Sequence, residues 1–219
     1  MTLDLRLYAL LDPAVSGGRT LDELAADIAG SATLVQLRDK KSETRALVEQ
    51  ARALMAVLRP KGLPLLINDR VDVALAAKAD GVHIGQQDMS PQDARALLGP
   101  KAIIGLSLRT LHHVRSAPLD ILDYVAVGGI FGTTSKDSVA EPIGLAGLRE
   151  LVRAIRARKA GCPICAIAGI DRSNAGAVVA AGVDGVAVIS ALSLAADPAQ
   201  AARELRGIVD TALGERAAS

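Results

Sequence analysis

The chain has 219 residues, of which 50% are apolar and 22% charged, with a net charge of +1; this size fits one large core, and residues 1–219 are expected to form a single domain. So weak a field offers no basic stripe for nucleic acid, and an aromatic content of 1% leaves no base-stacking platform, so no nucleic-acid partner is expected. The N-terminal run MTLDLRLYALLDP has acidic residues and no cationic start, and charges or glycines interrupt every apolar run; it reads as a first strand, with no membrane partner and a cytoplasmic location expected.

Along the chain, short β-rich runs alternate with Ala/Leu/Arg segments of helical period. The runs are Leu5–Leu11, Leu34–Leu37, Pro64–Ile67, Gly81–Ile84, Ile103–Leu106, Tyr124–Val127, Ile164–Ile167 and Gly185–Ile189. Helix starts are marked by Thr20 with Glu23 three positions on, by Ser42, and by Ser90-Pro91. Ala-Asp-Gly-Val at Ala79–Val82 and Val-Asp-Gly-Val at Val183–Val186 echo one another as turns into buried strands. The pattern predicts an α/β protein, a (β/α)8 TIM barrel; an open doubly wound sheet is the alternative, but no G-x-G-x-x-G follows the first strand.

In such a barrel the chemistry collects where strands end. Strand two runs into Gln36, Arg38 and Lys40, whose alternation puts three side chains on one side of an extended segment, over the barrel mouth, where two cations call for an anion. Strand three ends in Asn68-Asp69-Arg70 and strand four in His83 to Asp88; Asp69 and Asp88 are placed to share a hard cation, and magnesium fits better than calcium. Strand five ends at Ser107. Gly128 to Lys136 forms a hydroxyl-rich loop with a terminal lysine, suited to closing over an anion. Ala168-Gly169-Ile170-Asp171 and Ile189-Ser190-Ala191 open turns into helices and offer backbone donors to a phosphate monoester.

Other polar groups read as structural. Cys162 and Cys165 form a C-P-I-C run, but it lies where a helix gives way to a strand, the reverse of a redox pair, and too few further ligands accompany it for zinc. His83 and the His112-His113 pair lack the spacing of a zinc triad, and no Ser/His/Asp elbow or P-loop is present.

Five segments together carry a resemblance to a known family: QLRDK at Gln36–Lys40, INDRVDVALAAKADGVHIGQQD at Ile67–Asp88, GLS at Gly105–Ser107, the IFGTTSKD loop, and AGVDGVAVIS at Ala181–Ser190. The chain resembles the thiamine phosphate synthase family along nearly its whole length. The resemblance implies that Gln36, Arg38, Lys40 and Asn68 hold a pyrimidine diphosphate and that Asp69 and Asp88 hold Mg2+ on its pyrophosphate. Arg38, Lys40, Ser107 and Lys136 would serve catalysis by stabilising the leaving group, while Thr133, Thr134, Ser135, Gly169, Ile189 and Ser190 bind a thiazole phosphate. It further implies that pyrophosphate departs first, leaving a pyrimidine-stabilised carbocation that the thiazole nitrogen captures. The chain departs from the family pattern at Gly129 and Gly132, usually proline, at Ser135 for threonine and at Ala168 for glycine. Two alternatives remain at this point: a thiazole tautomerase on the same barrel, which needs no pyrophosphate set, and a non-catalytic barrel that binds thiamine phosphate.

Overall fold

Each apolar run becomes a strand, and each strand is followed by a helix that covers it. The computed structural model describes residues 3–132 and 141–218. Its strands are β1 (Leu7–Leu11), β2 (Leu34–Leu37), β3 (Leu65–Asn68), β4 (Gly81–Ile84), β5 (Ile103–Leu108), β6 (Tyr124–Gly128), β7 (Ile164–Ile167) and β8 (Gly185–Val188). Among the described residues they pair in parallel in chain order, and β1 closes on β8 to complete the barrel, so the open sheet is ruled out. The helices are α1 (Leu21–Ile28), α2 (Thr44–Leu58), α3 (Val71–Ala77), α4 (Pro91–Leu98), α5 (Leu111–Ser116), α6 (Gly144–Arg158), α7 (Ala175–Ala180), α8 (Ser190–Ser193) and α9 (Pro198–Ala218).

Alternation along the strands divides the apolar residues into two layers. Tyr8, Leu10, Leu34, Leu66, Tyr124, Ala126, Cys165 and Ala187 fill the barrel, whereas Leu7, Ala9, Val35, Leu65, Val125 and Val186 pack outward against the helices. The two cysteines fall in different layers, and both are buried and free of any disulfide. Burial pushes both thiols above their ordinary pKa, which suits small core residues and not redox partners.

Two helix starts match the sequence reading. Thr20 accepts from the Glu23 amide while Glu23 bonds back to the Thr20 amide, and Ser90 accepts from the Asp93 amide. The third does not: α2 begins at Thr44 after Glu43, because Asp39 Oδ1 accepts from the amides of Lys41 and Ser42 and holds Ser42 in the preceding turn.

At the N-terminal rim the strands are tied in pairs. The residue before each even-numbered strand accepts an amide from the odd-numbered strand ahead of it: Thr33 from Leu7, Asp80 from Leu65, Asp123 from Ile104 and Asp184 from Ile164, at 2.8–3.1 Å. The two Asp-Gly echoes in the sequence are therefore members of a fourfold series. Arg95 pairs with Asp123, and Arg156 and Arg216 both pair with Asp184. These ties complete the stable end of the barrel and leave the opposite, C-terminal end to the chemistry.

Candidate active site

The described candidates converge on the C-terminal mouth in two arcs. In the first, Gln36 is buried and its amide nitrogen donates to the Tyr8 hydroxyl, so it points into the barrel as the alternation requires. Two residues on, Arg38 forms a buried ion pair with Asp12, the residue that follows β1. Lys40 Nζ lies 3.1 Å from Asp69. The cations thus come supplied with carboxylates, which the expectation of two uncompensated charges missed. Asp12 was within reach of the same rule that found the others, since it is the polar residue that ends the first apolar run.

Asp69 occupies a three-residue turn at the end of β3, with φ of 62° and a 2.7 Å bond from the Arg70 amide to the Asn68 carbonyl. Its own amide donates to the His83 carbonyl, which fixes the turn against β4. Asn68 is buried beside it at the end of β3. Asp88 Oδ2 accepts from the Gly85 amide at 2.7 Å, which folds the β4 loop back and brings its carboxyl group into contact with that of Asp69. Burial, and then the Asp88 carboxyl, push the pKa of Asp69 up; Lys40 opposes them without cancelling the rise.

Two cations, Arg38 and Lys40, therefore face three carboxylates, Asp12, Asp69 and Asp88. Such an arc does not attract a polyanion unless a further cation reverses its sign. The adjoining oxygens of Asp69 and Asp88 are hard donors suited to magnesium, and no group of three or more His, Cys, Asp or Glu ligands exists among the described residues, so substrate oxygens and water would complete the shell.

The second arc borders a cavity of about 640 Å³ lined by Ser107, Arg109, Gly129, Gly169, Ile189 and Ser190 among others. Ser107 lies within β5, and its carbonyl accepts from Gln86 of the β4 loop at 2.7 Å. Ser190 and Ala191 open α8 ahead of Leu192, the first residue whose amide bonds back to Ile189, so their amides precede the helix's own ladder. Gly169 has φ of 66°, and a Cβ there would come within 2.5 Å of the Gly132 carbonyl, so glycine is required for both conformation and space. Ala168 precedes it at φ of 97°, a region an alanine enters under strain. Arg109, which the sequence reading did not single out, lies against Gly129 and donates to the Glu141 carbonyl at 2.8 Å. Thr133, Thr134, Ser135 and Lys136 lie outside the described residues.

Between the arcs runs a buried chain of polar side chains. The hydroxyls of Tyr8 and Tyr124 are 2.9 Å apart, the Tyr124 hydroxyl is 2.8 Å from His83 Nδ1, and His83 Nε2 is 2.8 Å from Ser107 Oγ. Gly105 makes room for it: a Cβ at this position on β5, the strand between β4 and β6, would lie 2.0 Å from the Tyr124 ring. His83 was legible only as a histidine in phase with its strand, because its partners come from β5 and β6.

A closed parallel barrel whose C-terminal mouth carries paired carboxylates and cations is the architecture of a (β/α)8-barrel enzyme. Residues 7–192 match the family model described as thiamine monophosphate synthase, and the chain belongs to that family. It is 47% identical over 210 residues to a thiamine-phosphate synthase of Moorella thermoacetica, covering 95% of this chain and 98% of that one. With a thiamine-phosphate synthase of Albidiferax ferrireducens it is 50% identical over 208 residues, or 94% and 92% of the two chains. Among solved structures it resembles a thiamine phosphate pyrophosphorylase from Pyrococcus furiosus, at 36% identity and a TM-score of 0.84 over 96% of this chain and 98% of that one. A 3-hexulose-6-phosphate synthase at 17% identity and a TM-score of 0.64, covering 93% and 99% of the two chains, shares the fold alone.

Proposed function

We propose that the chain condenses 4-amino-2-methyl-5-(diphosphooxymethyl)pyrimidine with 4-methyl-5-(2-phosphoethyl)thiazole to give thiamine phosphate and pyrophosphate. The observation that carries this reading is 47–50% identity, over nearly the full length, to thiamine-phosphate synthases in a chain that keeps Arg38, Lys40, Asp69 and Asp88 together on neighbouring loops. The tautomerase and carrier readings gain no support from these matches, and neither calls for that arc.

In this reading Gln36 and Asn68 receive the pyrimidine, and Arg38 and Lys40 its diphosphate. Asp69 and Asp88 would hold Mg2+, which would supply positive charge to the diphosphate. Ser107 and Lys136 donate to the departing pyrophosphate as the carbon–oxygen bond breaks and the electron pair leaves with it. Gly169, Ile189 and Ser190, with Thr133, Thr134 and Ser135, hold the thiazole phosphate so that the ring nitrogen gives its lone pair to the methylene carbon. No proton moves at the reacting centre, so no general base is needed. Both substrates are charged and do not cross membranes unaided, which favours a cytoplasmic site of action; no helix among the described residues is long and apolar enough to span a membrane.

A coupled assay for pyrophosphate tests the proposal. Release should require both substrates and magnesium together; absence of release with all three, or release that ignores the thiazole phosphate, would overturn it.

A further inference from the structure

The buried chain from Gln36 to Ser107 has a direction. Gln36 Nε2 can only donate, so the Tyr8 oxygen accepts from it and the Tyr8 proton is left to point at Tyr124. Each tyrosine has one proton, and burial pushes both hydroxyls well above their ordinary pKa, so both stay protonated. The Tyr124 proton must then go to His83 Nδ1, which places the imidazole proton on Nε2, donating to Ser107 Oγ. An imidazolium would break the series, because it would donate toward Tyr124 and leave a buried tyrosine proton without an acceptor. With its oxygen filled by His83, the Ser107 hydroxyl has its own proton to offer elsewhere. At the other end Gln36 Oε1 is buried and has no partner among the described residues, so the series leaves an unused acceptor at Gln36 and a donor at Ser107.

We propose that His83 is a positioning residue which, through the one-way proton order running from Gln36 across Tyr8 and Tyr124, holds Ser107 as a hydrogen-bond donor toward the pyrophosphate leaving group. The role assigned to that leaving group rests on the synthase reading above. The relay works because Ser107 taken alone is ambiguous: a hydroxyl that spent its proton on His83 would turn lone pairs toward an anion and repel it. Fixing the tautomer from the far side of the barrel removes that option before substrate arrives, in an interior where reorientation cannot be rescued by water.

Two measurements test the relay. In protein labelled with 15N-histidine, long-range 1H–15N spectra at neutral pH should show His83, identified by difference from His83→Gln, as the neutral Nε2–H tautomer. The Nδ1–H tautomer or an imidazolium would overturn the proposal, and this readout needs neither substrate nor turnover. Kinetically, Tyr124→Phe removes the hydroxyl that accepts from Tyr8 and supplies the proton enforcing the tautomer; it should lower kcat about tenfold with the KM for thiazole phosphate unchanged, and by less than about twofold when Ser107 is already alanine. Equal losses in both backgrounds would show that Tyr124 does not act through Ser107. Should the unaltered enzyme release no pyrophosphate, the synthase reading fails, and the spectra still decide the proton order.

Discussion

Asp88 bears on function through its contact with Asp69, since its remaining bond, from the Gly85 amide, can be kept by an asparagine oxygen. Asp88→Asn should therefore raise the magnesium concentration needed for half-maximal activity by about tenfold or more, while stability changes by less than about 0.5 kcal/mol. Activity against magnesium concentration, measured alongside thermal melting, checks it, and an unshifted magnesium curve would remove Asp88 from the metal site. Ala168 bears on stability instead: its φ of 97° is strained for any residue with a Cβ. Ala168→Gly should gain about 1 kcal/mol, seen as a melting midpoint about 2–4 °C higher, the relief of strain exceeding the added entropy of the unfolded chain. At this scale Gln36, Arg38 and Lys40 were legible because one strand's alternation fixes where they point. Tyr8 and Tyr124 were not, because what gives them meaning is a partner on another strand.

Among the elements, the β6 and β7 loops interlock. The Phe131 amide donates to the Ala168 carbonyl, and the amides of Ile143 and Gly144 return to the carbonyls of Gly129 and Ile130. Gly129 and Gly132, where the family resemblance implies prolines, differ within this arrangement. Gly129 has φ of 77°, and a Cβ there would come within 2.8 Å of the Arg109 guanidinium, so a proline, held near −65°, cannot be restored without moving the loop. Gly132 lies outside the left-handed region, with open space where its Cβ would be. Given a φ at Gly132 near the −65° of proline, Gly132→Pro is expected to tighten thiazole phosphate binding by roughly two- to fivefold, from about 0.4–1 kcal/mol of chain entropy removed in advance, while Gly129→Pro weakens it. Titration calorimetry with magnesium pyrophosphate present compares the two, and looser binding by Gly132→Pro would sink the entropy argument. Element ends were readable where a cap stands alone, as at Thr20 and Ser90. At Ser42 the outcome differs because Asp39 takes the amides of Lys41 and Ser42 and keeps Ser42 in the turn before the helix. Departures from the family pattern at Gly129 and Gly132 were visible in sequence, but only backbone angles separate one from the other.

For the molecule as a whole, the fold was legible from periodicity, because eight apolar runs of strand length separated by helical segments have few other ways to bury both faces. The rim ties were half legible: Asp-Gly repeats mark two of the four, whereas Thr33 and Asp123 carry no shared motif. Of these acceptors Asp184 is the most heavily used, taking the Ile164 amide while pairing with Arg156 and Arg216. Asp184→Asn should cost about 2 kcal/mol, or about 4–8 °C in melting midpoint, with activity per folded molecule unchanged. A loss of kcat without loss of stability would contradict that division of labour between the two ends of the barrel.

Since every tie is confined to one pair of strands, the barrel can be treated as a set of separable parts. A break at Gly99–Lys101, between α4 and β5, leaves the Leu7–Thr33 and Leu65–Asp80 ties in one piece and the Ile104–Asp123 and Ile164–Asp184 ties in the other. The two fragments, produced together, should find each other and restore pyrophosphate release. A break at Pro118 severs the Ile104–Asp123 tie and should restore far less. Equal recovery from both cuts would mean that the seams between strand pairs, and not the ties within them, govern assembly.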